Sequence, residues 1–126
     1  MDPRMRTPRS GTRIDLRSDG TMVSIASIGA SLRSLRTDGR DLVVPFDVDA
    51  IRPGFRGATL APWPNRVIDG RYRFGGVERQ LALTEPSRGH ALHGLATWRD
   101  WRVVGSDATS VELALEIEPS DGYAWR

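Results

Sequence analysis

Residues 57–98 read GATLAPWPNRVIDGRYRFGGVERQLALTEPSRGHALHGLATW. At the centre, Tyr72 and Phe74 alternate with Arg71 and Arg73, the period of a strand with one apolar face. Asp69-Gly70 marks a turn before this run. Gly75-Gly76 separates it from Val77–Leu81, as a two-residue hairpin turn requires. The hairpin is framed by three short motifs. A proline-rich stretch ending in Asn65-Arg66 precedes it; Glu85-Pro86 and then Leu92-His93-Gly94 follow it.

The same period of two extends outward. Val111, Leu113, Leu115 and Ile117 alternate with Glu112, Ala114, Glu116 and Glu118. Ile14 and Leu16 alternate with Arg13, Asp15 and Arg17, and Val23 and Ile25 with Ser24 and Ala26. Ser18-Asp19-Gly20, Asp38-Gly39 and Ser106-Asp107 punctuate these runs as turns. No segment holds a helical period over three turns; in Ala30–Leu35, Leu32 and Leu35 alone support one. The pattern predicts an all-β, antiparallel fold with strands near 12–17, 21–28, 31–37, 41–44, 71–74, 77–83, 101–105 and 110–118. Short strands joined by tight turns point to a β-sandwich. Residues 45–66 and 84–100 read as long irregular loops, which in a compact domain are often functional.

Composition bounds the function. A chain of 126 residues is one domain or a piece of one, able to bury roughly two-thirds of its unfolded surface. The apolar share of 39% fits a soluble, ordered protein, and no apolar run is long enough for a membrane span. There is no cysteine, which excludes disulfides and thiol chemistry and fits a cytoplasmic protein. All 18 basic residues are arginine, but 16 acidic residues are interleaved with them and the net charge is +2. Without a basic cluster this does not describe a nucleic-acid binder. Residues 1–11 are basic, contain Pro3 and Pro8, lack an apolar segment, and read as a mobile tail rather than a leader.

Four residues are candidates for ligand binding. Arg66 closes the proline-rich loop with a fork of donors suited to hydroxyls or a carboxylate. Asn65 stands beside it. His93 is one of two histidines, and the His90–His93 spacing has no third ligand to make a metal site. Trp63, between Pro62 and Pro64, offers either a flat face for a ring or core packing with its indole N–H paired. Trp98, Trp101 and Trp125 read as packing residues. Glu85 reads as a residue that ties its loop together, and His90 as exposed and incidental.

In their order and spacing, Asn65-Arg66, Glu85-Pro86 and Leu92-His93-Gly94 resemble the aldose 1-epimerases, or galactose mutarotases. Gly29–Leu32, Gly39–Leu42 and Asp121-Gly122-Tyr123 fit the same pattern, so the resemblance covers residues 12–126. It implies the N-terminal part of a single galactose mutarotase-like β-sandwich domain. Ala61–Arg66 is most similar to a bacterial subgroup, some of whose members are associated with modified or sulfonated sugars. The resemblance implies that Arg66 hydrogen-bonds sugar hydroxyls and that His93 lies in the sugar pocket, with no metal and no organic cofactor.

The implied chemistry interconverts the α and β anomers of an aldose. A base removes the O1 proton while an acid protonates the ring oxygen, and the ring opens, rotates and recloses. The family's glutamate base and histidine acid are expected beyond Arg126. This chain is therefore expected to hold part of the pocket, no catalytic pair and no activity alone. Its partner is an aldohexose or modified sugar, neither nucleic acid nor membrane, with self-association through uncovered strands. The alternative is a non-catalytic carbohydrate-binding β-sandwich.

Overall fold

The computed structural model describes residues 6–120 and 122–126. Residues 1–5 of the expected tail, and Asp121 of the expected Asp121-Gly122-Tyr123 turn, lie outside them. The described residues form strands and no helix: β1 (Arg13–Ser18), β2 (Thr21–Ala26), β3 (Ser31–Thr37), β4 (Arg40–Asp41), β5 (Arg66–Ile68), β6 (Arg71–Phe74), β7 (Val77–Gln80), β8 (His90–Leu92), β9 (Arg102–Ser106) and β10 (Val111–Ala114). Every ladder between them is antiparallel. The chain divides into two compact units, residues 1–59 with 98–115 and residues 60–97 with 116–126.

The first unit is built on the four-stranded sheet β1-β2-β3-β4. Two turns fix its register. Ser18 pairs with Thr21 across Asp19-Gly20, and Thr37 pairs with Arg40 across Asp38-Gly39. All four turn residues have positive φ, between 41° and 78°, the left-handed twist that matches flanking strands. Ile14, Ala26 and Phe46 are its buried apolar residues, and Thr21 and Thr37 join hydroxyls across the sheet at 2.9 Å. Ser27 is 1% exposed, accepts from the Thr12 N–H at 2.7 Å and donates to Asp100 at 2.5 Å. In the stretch expected to be a tail, Ser10 and Gly11 are buried. Ser10 donates its hydroxyl to the Val48 carbonyl and accepts the Ile28 N–H through its own carbonyl, and Arg6 pairs with Asp49.

β9 and β10 form a ribbon in the same unit, with a shift of register between Glu112 and Leu113. The expected strand 110–118 ends its ladder at Ala114. Its alternation persists beyond, with Leu115 and Ile117 half-buried and Glu116 and Glu118 exposed, but nothing among the described residues pairs with it. In this ribbon the exposed apolar side chains are Val103 and Val104 of β9, while Val111, Leu113, Leu115 and Ile117 are half-buried.

The second unit holds two ribbons, β6-β7 and β5-β8. Phe74 pairs with Val77 across Gly75-Gly76, both at positive φ, as the sequence predicts. Leu81, Ala91, Leu92 and Ala96 are buried. Trp125 packs edge-on against Phe74 and Tyr123, each at 5.2 Å, and Tyr72 donates its hydroxyl to the Gly122 carbonyl. β5 and β8 correct the sequence reading. The stretches 45–66 and 84–100 are not loops throughout, because Arg66 opens a strand and residues 90–92 pair with it.

Candidate functional site

The β5-β8 ladder assembles the second unit's motifs. Arg66 is paired with Leu92, Val67 with Ala91 and Ile68 with His90. Ala91 is fully buried and Val67 opposite it half-buried, so the ladder has an inner face although each strand is only three residues long. In an antiparallel pair the residue before one strand lies beside the residue after the other. Asn65 precedes β5 and His93 follows β8, and the His93 N–H donates to the Asn65 carbonyl at 2.9 Å.

Further bonds lace the two flanks. The Ala61 carbonyl accepts the N–H groups of Leu95 (2.7 Å) and Ala96 (3.2 Å). Gly94 is bridged to Ala61 so closely that a Cβ there would lie 2.0 Å from the Ala61 oxygen. The Ala61–Pro62 peptide bond is cis.

His93 has φ +59°, a conformation that costs a non-glycine residue on the order of 1 kcal/mol or more. Its half-buried ring places Nδ1 2.9 Å from the Pro64 carbonyl oxygen. A carbonyl only accepts, so Nδ1 carries a proton.

Arg66 meets Glu85 in a two-point fork: Nε donates to Oε1 at 2.7 Å and Nη2 to Oε2 at 2.9 Å. The hydrogen bond from Arg66 is the main cause that holds the Glu85 carboxyl below the usual carboxylate range, and the same bond raises Arg66 above the ordinary arginine value. Glu85 is itself fixed, since its N–H donates to the His90 carbonyl at 3.0 Å. The neighbouring Thr84 hydroxyl accepts the Leu92 N–H at 2.8 Å. Glu85 thus ties the loop, as the sequence predicts, and does so through Arg66. Nothing in the 19-residue separation marks that pairing in advance.

The structure therefore gathers Asn65, Arg66 and His93. The Asn65 side chain turns inward to its own loop, accepting the Arg66 N–H at 2.9 Å. Trp63 is half-buried against Tyr123 (ring centroids 6.2 Å apart), and its indole N–H is buried with no acceptor among the described residues. The packing alternative for Trp63 is thus seen without the paired N–H it predicts. His90 differs from expectation: it is half-buried in β8, and its Nδ1 accepts the Asp69 N–H at 3.1 Å. Among the described residues no group of three or more His, Cys, Asp or Glu side chains is arranged to hold a metal ion. What the site offers is a set of oriented donors on Arg66 beside the His93 ring, polar groups of the kind that meet a polyhydroxylated ligand.

Comparison with known proteins places the fold and the family. The sequence model described as Aldose 1-epimerase matches residues 12–126. An uncharacterized Escherichia coli K12 protein, YihR, is 40% identical over 114 residues, covering 90% of this chain and 37% of that protein. A putative aldose 1-epimerase from Escherichia coli K12 superposes with a TM-score of 0.77 at 24% identity, over 90% of this chain and 38% of that one. A GalM/aldose epimerase homologue from C. elegans gives 0.76 at 24% identity, over 89% and 38%. These likenesses show the galactose mutarotase-like β-sandwich fold. The chain spans little more than a third of the length of the relatives it matches.

Proposed function

This chain belongs to the aldose 1-epimerase family, and from that premise we propose that it carries the substrate-holding part of a site that interconverts the α and β anomers of an aldose. Arg66 donates to sugar hydroxyls, His93 lines the pocket beside it, Asn65 holds the loop that sets both, and Trp63 lies at its apolar edge. The observation that carries the reading is the β5-β8 ladder, which sets Arg66 and His93 at adjoining ends of paired strands.

The base that takes the O1 proton and the acid that serves the ring oxygen belong, in this proposal, to the part of the family's length this chain does not span. Glu85 is not assigned either task in this proposal, because both its carboxylate oxygens are bound by Arg66. Ring opening needs a paired base and acid on opposite sides of the anomeric centre.

Ligand-observed NMR with glucose and galactose, run with the Arg66→Ala chain as control, tests the reading. Saturation transfer to the sugar that disappears in the variant supports it. Equal transfer in both chains removes Arg66 from the site. Polarimetry on the same samples distinguishes a self-sufficient mutarotase from a chain that only binds.

A further inference from the structure

Resting on the sugar-site reading of Arg66, we propose that Glu85 makes Arg66 a reader of neutral hydroxyl groups and turns away ligands that would bring a negative charge to it. An arginine with an open edge favours carboxylate, sulfonate or phosphate, whose paired oxygens match its fork. In this chain that edge is taken. Nε and one N–H of Nη2 bind the two oxygens of Glu85 at 2.7 and 2.9 Å. Of the five guanidinium N–H groups, three remain, on Nη1 and Nη2.

The occupied edge is built into the fold. Arg66 opens β5 opposite Leu92. Glu85 is bridged to His90 on the partner strand, and the Thr84 hydroxyl accepts the Leu92 N–H. Both ends of the ion pair therefore hang from one ladder. The Glu85 side chain is 17% exposed and that of Arg66 35%, so the acid lies beneath and the base faces outward. A planar guanidinium gripped at two points has its remaining donors aimed in one direction.

Charge then selects the ligand. A second anion on the remaining N–H groups would lie within several ångströms of the Glu85 carboxylate, and that repulsion offsets its attraction to the shared arginine. A hydroxyl oxygen accepts the same hydrogen bonds without the repulsion. Arg88 and His90 also face Glu85 and favour its ionised form, but both carboxylate oxygens bond to Arg66. A substrate that carries an acidic substituent must direct it away from Arg66.

The test follows the Arg66 Nε–H signal by NMR in the 126-residue chain, with galactose and inorganic sulfate as separate probes. In the wild type, galactose is expected to shift the signal and sulfate to leave it unmoved. In Glu85→Gln, sulfate is expected to shift the Arg66 signal at concentrations that leave the wild type unmoved, while galactose weakens by about tenfold, one hydrogen-bond's worth of orientation. If Glu85 had only a structural role, its loss would weaken galactose without giving sulfate a site at Arg66. Sulfate at Arg66 in the wild type, or galactose binding undiminished in the variant, overturns the proposal. If Glu85→Gln does not fold, the wild-type sulfate result still decides. Failure of galactose alone removes the sugar-site reading. In that case a gain of sulfate confined to the variant supports the charge screen, and no gain overturns it.

Discussion

His93 is held to the segment before β5 at two points, its N–H on the carbonyl of Asn65 and its ring Nδ1 on the carbonyl of Pro64, each at 2.9 Å. The histidine thus takes its position, its backbone strain and its tautomer from the loop that delivers Arg66. The two motifs act as one structural unit, and its consequences are measurable.

Arg66→Ala and His93→Ala are each expected to lower sugar affinity by roughly tenfold to a hundredfold, the effect of losing a hydrogen bond in a binding site, with the circular-dichroism spectrum unchanged. His90→Ala is expected to leave affinity unchanged. It removes the acceptor of the Asp69 N–H, and so costs about 1 kcal/mol of stability. Calorimetric titration and thermal melts separate the two classes.

Gly94→Ala is expected to be among the most damaging small substitutions. The added Cβ meets the Ala61 oxygen at 2.0 Å, and φ is +75°. Either the loop moves or the bridge to Ala61 breaks, at a cost of about 1–3 kcal/mol. Loss of sugar binding at temperatures where the chain stays folded is the expected readout.

Stability is expected to fall on acidification through Glu85. Its carboxyl is held below the usual carboxylate range in the folded chain, mainly by the bond from Arg66. The contribution is therefore complete above the unfolded value and is lost as pH falls through the folded one. Asp107, held down by the Thr109 N–H and the Ser110 hydroxyl and N–H, acts in the same direction. Glu85→Gln should flatten part of the acid limb of Tm against pH, leaving the Asp107 part in place.

The turns of this fold are written locally, and the site is not. Asp19-Gly20, Asp38-Gly39 and Gly75-Gly76 need positive φ, which neighbouring residues alone can signal, and all three close the hairpins expected of them. β5 and β8 are not legible in the sequence because Arg66–Ile68 and His90–Leu92 are too short for any period, and their identity as strands comes from each other. The motifs name Arg66 and His93, but the Glu85 carboxylate that aims Arg66, and the Pro64 carbonyl that sets the His93 tautomer, are tertiary facts. Exposure is a tertiary fact too: Val103 and Val104 of β9 are exposed, while the apolar residues of Val111–Ile117, where alternation is strongest, are half-buried.

Those exposed residues carry a prediction of their own. Val103 and Val104 on β9, with Ile68, Phe74, Val77 and Leu83 in the second unit, leave apolar surface open. Such strands invite pairing with a second chain. Size-exclusion chromatography is expected to show association, with strong binding of a hydrophobic dye. Val104→Lys should raise the monomer fraction. A sharp monomeric peak without dye binding would instead favour a self-sufficient sugar-binding domain.

The most direct measurement of the central claim is a backbone amide NMR titration of the chain with galactose or glucose. If the β5-β8 ladder presents the sugar site, the largest shifts fall on Asn65, Arg66, His93 and Gly94, and Arg66→Ala abolishes them. Shifts confined to the first unit, or none at sugar concentrations that saturate ordinary carbohydrate sites, would contradict it.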